Sequence, residues 1–369
     1  MSWPRVLVCA GGGGVGKTST SAAISLAAAR RGERVLVVTI DPARRLADAL
    51  GVALGPNVQG VDISEGQEAA SGSGSGELLA LMPDPRQSMR TFVEYLFAGR
   101  PKALERVLGN QMYQVMEDAV PGVHELAALS LVTREMHERG LDLVVIDTAP
   151  SRNAVDFITY PKRLADLLGG RAMRWLAQLA HKSLDGAEGD GDMKPRGRVM
   201  RLLEKGLGPA IHDVGALSAE LVAVMDRFIA LNEDSSELLL GGRTRYVLVA
   251  APTRAAEDDA SFLHRRLKAL SVRPAAVIVN GTAEPTPAWD ERLRASAATT
   301  EPMRQALAIL ADERAQREKA TQAAVAAIRK IDRKLTPIAL PFLGPAPPRQ
   351  IVEGLAAELA PELEAILGR

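Results

Sequence analysis

The chain has 369 residues, 47% of them hydrophobic and 24% charged, a composition that excludes a disordered or fibrous protein. Forty-five basic residues balance forty-five acidic ones, which excludes the strong overall positive field that draws a protein onto duplex nucleic acid. Cys9 is the only cysteine, so neither a disulfide nor a thiol pair for a metal can form within one chain, as suits a reducing cytoplasm.

The first ten residues carry no basic segment followed by a long apolar run, so no leader is expected. No stretch reaches the ~18 uncharged apolar residues of a membrane-spanning helix. Arg5 to Cys9 reads as a short buried strand, Gly11 to Gly16 as a glycine loop, and Lys17 to Arg31 as a helix closed by Gly32. Further apolar runs rich in branched side chains follow at Arg34 to Ile40, Leu143 to Asp147, Tyr246 to Ala250, Ala276 to Asn280 and Thr336 to Leu340. Helical patterns separate them, which predicts an α/β fold with a mostly parallel, doubly wound sheet occupying residues 1–369 as one domain. Asp84 to Gly140 and Phe157 to Leu240 hold helical patterns without a strand, and are expected to form one helical subdomain inserted twice. Ser71 to Gly76 and Asp185 to Gly197 read as linkers.

The chemistry is carried by GGGGVGKT, which matches the G-x-x-x-x-G-K-[ST] phosphate loop throughout and lies between a strand and a helix. In this reading the backbone of Gly11, Gly12, Gly13, Gly14, Val15 and Gly16 encircles phosphates at a helix N-terminus. Lys17 reaches the β and γ oxygens, Thr18 ligates Mg²⁺, and Ser19 completes the site. Carboxylates at neighbouring strand ends are needed to hold the water around Mg²⁺, and Asp41 in TIDPARRLAD and Asp147 in VVIDTAP stand there. Both also suit a helix cap or a turn beside proline. No guanine-reading N/T-K-x-D segment is found at the strand ends, so ATP is the expected nucleotide.

The segments GGGGVGKT, DPARRLADAL, PGVHELAAL, DTAPSRNAVDFI, VNG and PFL, in this order, make the chain resemble the arsenite-pump and tail-anchored-protein-targeting ATPases, in a subgroup without their signature lysine. The resemblance spans most of the chain and is densest before residue 160. It implies a dimeric or pseudodimeric ATPase whose helical subdomain moves with the nucleotide state. It implies that Asp41 activates the attacking water, that Asp147 opens the second switch, that Asn280 reads adenine, and that Pro341 and Phe342 pack on the base. An Asn-Gly turn and a strand-ending proline turn are the alternatives for these last three.

Gly12 stands where the family's signature lysine reaches across the dimer, so that lysine has no counterpart here. Arg44 and Arg45, just after Asp41, are candidates to supply the missing positive charge, or else lie solvated on a helix face. A single cysteine disfavours arsenite transport, and the five histidines show no ligand spacing for zinc. The stripe Leu164, Leu167, Leu168, Met173, Leu176 and Leu179, with Trp175, is either internal packing or a surface for a protein client. The expected function is a nucleotide-driven switch, as a homodimer or a heterodimer with a paralogue. The competing class is a partitioning ATPase acting on DNA or a membrane surface, although the glutamate-bearing tail from Ile351 suits anionic lipid poorly.

Overall fold

The computed structural model describes residues 4–40, 45–64, 76–111, 113–114, 123–148, 159, 170, 210–283, 292, 296, 300–335 and 337–368. By internal contacts the chain divides into two compact units, Met1–Pro83 with Met136–Val155 and Leu239–Arg369, and Asp84–Glu135 with Asp156–Leu238.

The first unit is built on one eight-stranded sheet. Its strands are β1 (Arg5–Gly11), β2 (Arg34–Thr39), β3 (Gln59–Val61), β4 (Glu77–Leu81), β5 (Leu143–Asp147), β6 (Thr244–Ala250), β7 (Pro274–Thr282) and β8 (Pro337–Pro341). In space they run β3-β4-β2-β5-β1-β6-β7-β8, all parallel except the β3–β4 pair at one edge. The sheet is therefore α/β and mostly parallel, as its apolar runs predict. Central strands such as LVVID and RVLVCAG are buried on both faces because helices cover both sides, so they lack polar alternation.

β3 and β4 escape sequence reading. β3 has three residues and β4 five, too short for periodicity to separate a strand from a loop, and β4 begins one residue after the Ser/Gly tract. Parallel pairing of β4 with β2, Leu79 opposite Leu36, makes β4 a strand. The linker residues 71–75 and 185–197 and the apolar stripe within 164–179 lie outside the described residues.

Helix α1 (Lys17–Arg30) is buried nearly all round, with Ala22, Ala23, Ala27, Ala28 and Ala29 allowing close approach of its neighbours. Ser25 Oγ, buried among them, donates to Ser21 O at 2.7 Å. The C-terminal segment packs on this helix. In α10 (Pro348–Leu359) and α11 (Leu363–Leu367), with the 3-10 turn Ala360–Glu362 between them, Val352, Leu355, Leu359, Leu363 and Ile366 join the core of α1 and the sheet. Arg349 Nε donates to Glu353 within this tail at 2.9 Å.

Three further helices of this unit are α2 (Arg45–Leu50), α8 (Arg254–Ala269) and α9 (Glu301–Ile331). The second unit contains α3 (Pro85–Leu96), α4 (Pro101–Leu108) and α6 (Ala210–Ala223), while α5 (Val123–Arg139) and α7 (Met225–Leu240) lie mostly within it. α3 begins where Asp84 accepts from Gln87 N and Pro85 takes the first turn. The core of this unit gathers Phe92, Leu96, Val107, Leu126 and Phe228, with Phe92 and Phe228 meeting edge to face at 6.3 Å. None of the described helices is long and apolar enough to cross a membrane.

Candidate functional site

β1 runs between β5 and β6, while the chain goes from β1 to β2 and returns to place β5 in the gap. The carboxyl ends of β1, β2 and β5 therefore converge beside the start of α1, the position at which open α/β sheets bind ligands. Register places Cys9 and Thr39 on either side of Asp147.

The phosphate loop joins β1 to α1. Val15 is buried and anchors it, whereas Gly13 and Gly14 form an exposed tip with no atom within 4 Å of where a side chain would begin. Gly16 caps α1 in the left-handed region at φ 90°, without a side-chain cap, and the first turn carries no acidic residue. The opening N–H groups and the positive end of the helix dipole therefore remain to serve an anion. Lys17 is buried, and its Nζ donates to Gly12 O at 2.7 Å. Ser19 follows in the same turn, half-buried.

Asp147 is wholly buried and its Oδ2 accepts two hydroxyls, Thr18 Oγ1 at 2.7 Å and Thr39 Oγ1 at 3.1 Å. Beside it, Thr148 Oγ1 donates to Cys9 O at 2.8 Å and Ile40 N donates to Asp147 O at 3.0 Å. Thr39 is a participant that sequence reading missed, since a threonine at the end of a strand is unremarkable until β5 pairs beside it. A hydroxyl and a carboxylate at a strand end, with no soft ligand among them, are hard oxygen donors of the kind Mg²⁺ prefers. These donors fit a hard, hydrated cation such as Mg²⁺.

Asn280 does not form the terminal Asn-Gly turn that its dipeptide suggests. It lies within β7, where Gly281 at φ 77° and a register shift between Asn280 and Thr282 form a bulge. Its Nδ2 donates to Val15 O at 3.0 Å, tying β7 to the phosphate loop. Pro341 ends β8, and Phe342 N donates to Thr282 O at 3.0 Å, which keeps Phe342 beside the β7 bulge. The ring of Phe342 is 41% exposed, and the Arg317 guanidinium of α9 lies over it at 4.2 Å. No local signal marks Arg317, which lies 25 positions earlier on another element. Arg45 is the exposed first residue of α2; Asp41 and Arg44 lie outside the described residues.

The family model for anion-transporting ATPases (ArsA_ATPase) matches residues 4–301, from the first strand past the β7 bulge. The chain belongs to this family. Among its relatives, ATPase get3 of Schizosaccharomyces japonicus is 32% identical over 166 residues, covering 43% of this chain and 46% of the relative. ATPase GET3 of Malassezia globosa is 31% identical over 165 residues, 44% of each chain. A longer match, 25% identical over 292 residues, covers 78% of this chain and 75% of ATPase GET3 of Podospora anserina. The chain thus spans less than half the length of the first two relatives.

Within this anion-transporting ATPase fold, Cys9 sits in β1 directly behind the loop, wholly buried. Burial pushes its thiol up to about 12, against a smaller opposing effect of a hydrogen bond with Ser21. The thiolate is the nucleophile, so Cys9 is expected to resist iodoacetamide at pH 8 in the native protein and to react only on unfolding. Mass spectrometry of the treated protein checks this, and native-state labelling would contradict the burial.

Proposed function

We propose that this protein is a Mg²⁺-dependent ATP hydrolase that works as a dimeric switch, its helical unit presenting a partner surface that changes with nucleotide state. The observation that carries this reading is the convergence of Thr18 and Thr39 on the buried Asp147, beside Lys17 at an uncapped helix N-terminus.

In this mechanism Lys17 exchanges Gly12 O for the β and γ oxygens of ATP, and the glycine N–H groups of the loop wrap the phosphates. Asp147 holds the Thr18 hydroxyl and orients water around the metal. Thr18 and, through water, Asp147 would hold Mg²⁺, which would supply positive charge against the negative charge of the phosphates. Asp41 orients and deprotonates the attacking water, a role taken from the family resemblance. Asn280 recognises adenine, while Pro341 and Phe342 pack on its face. Arg44 or Arg45 supplies the charge that a lysine at position 12 would otherwise bring. The absence of that lysine favours a second reading, a heterodimer in which an active paralogue completes the site.

ATP turnover measured against the protein's own concentration, with oligomer mass followed in the same samples, tests the proposal. Turnover is expected to rise with dimerisation; binding without turnover at any concentration would favour the heterodimer. Asp147→Asn keeps the shape but offers a neutral acceptor, and is expected to cut Mg²⁺-supported turnover about 100-fold, the scale of losing one electrostatic group in a water-poor site. Turnover within threefold of the parent would remove Asp147 from the mechanism.

A further inference from the structure

Gly12 is overlain by a carboxylate. A methyl group built on its backbone would stand 2.5 Å from Asp259 Oδ2 and 3.5 Å from Asp259 Cγ, so the α8 side chain occupies the space into which residue 12 would grow. Asp259 is only partly buried and ends the acidic run Glu257, Asp258, Asp259, in the second turn of α8. The carbonyl of the same Gly12 receives the Lys17 ammonium. A carboxylate thus lies against Gly12, the residue whose carbonyl receives the cation that must meet the phosphates. In a site for polyanions this charge opposes binding, so its effect must scale with the net charge of the ligand.

Resting on the nucleotide-binding reading above, we infer that Asp259 is a specificity-determining residue: an anionic gate that makes the phosphate loop reject metal-free nucleotide in favour of its Mg²⁺ complex. Free ATP carries about two more negative charges than its Mg²⁺ complex, so the same carboxylate penalises the free form more. The gate also accounts for glycine at position 12. A lysine there would meet Asp259 within its own chain and cancel the discriminating charge.

The test is the ratio of dissociation constants for ATP in EDTA and ATP in excess Mg²⁺, by titration calorimetry on the full chain, for the parent, Asp259→Asn, Asp259→Glu and Gly12→Lys. Asp259→Asn is expected to tighten metal-free ATP about fivefold or more and Mg–ATP about twofold, so the ratio falls, and added salt should shrink the difference. Asp259→Glu keeps the charge and should keep the parental ratio, while Gly12→Lys should lower it as Asp259→Asn does. Affinity of Asp259→Asn and Asp259→Glu for uncharged adenosine should stay unchanged, which a general loosening of the loop would not allow. An unchanged ratio in Asp259→Asn, or equal shifts for both forms, overturns the gate while leaving the nucleotide site standing. Failure of the parent to bind either form would overturn both.

Discussion

Lys17→Ala is expected to weaken Mg–ATP binding by at least about 100-fold while leaving the protein folded. The ammonium is the one cation that the loop itself contributes, and it is buried against Gly12 O. In this position it is already largely stripped of water, so exchanging a carbonyl for phosphate oxygens costs little new desolvation. Two charge-assisted hydrogen bonds to phosphate contribute about 1.5–3 kcal/mol each, which is the origin of the expected loss. The folded state suffers less, because Gly12 O can turn to water at the loop mouth; a stability loss of about 1 kcal/mol is expected. Fluorescent-nucleotide titration together with urea unfolding separates the two effects. A dissociation constant within threefold of the parent would place the nucleotide elsewhere.

Gly16→Ala is expected to damage both folding and binding. At φ 90° a Cβ is strained by roughly 1–2 kcal/mol, and here it would also run into the amide of Asn280. Moving that amide breaks its bond to Val15 O, which adds about 1 kcal/mol. A total of about 2–3 kcal/mol lowers the melting temperature by roughly 3–4 °C in a chain of this size. Gly13→Ala is the internal control. Nothing lies within 4 Å of its added methyl, so its stability should stay within about 0.5 kcal/mol of the parent. Equal melting temperatures for the two variants would show that the Gly16 contact carries no strain.

The first strand, the loop and α1 are legible from residues 5 to 32 alone because each signal is local. An apolar run, a glycine series and an alanine-rich helix ended by Gly32 mark the three elements, although β1 continues to Gly11, past the expected end at Cys9. β5 is legible to the residue for the same reason, its LVVID being bounded by Asp142 and Thr148. β3 and β4 are not, since β4 becomes a strand only beside β2 and β3 only beside β4. The Asn280-Gly281 dipeptide misleads in an instructive way. Its turn chemistry is real, but β8 pairs on both sides of it and converts a turn into a bulge.

By itself, the sequence determined the phosphate loop, the α/β class and the family, because backbone reach, helix dipole and side-chain charge are properties of neighbours along the chain. Only the tertiary structure decided which side chains meet across it. Parallel pairing set Thr39 beside Asp147 and the fold brought Thr18, from α1, to the same oxygen, 129 positions before its acceptor. Packing of α8 put Asp259 on Gly12, and packing of α9 put Arg317 on Phe342. The glutamate-bearing tail from Ile351 became part of the core because Val352, Leu355 and Leu359 share one helical face against α1. Such meetings rest on strand order and helix register, which no local pattern encodes, because burial of apolar surface is indifferent to sequence distance.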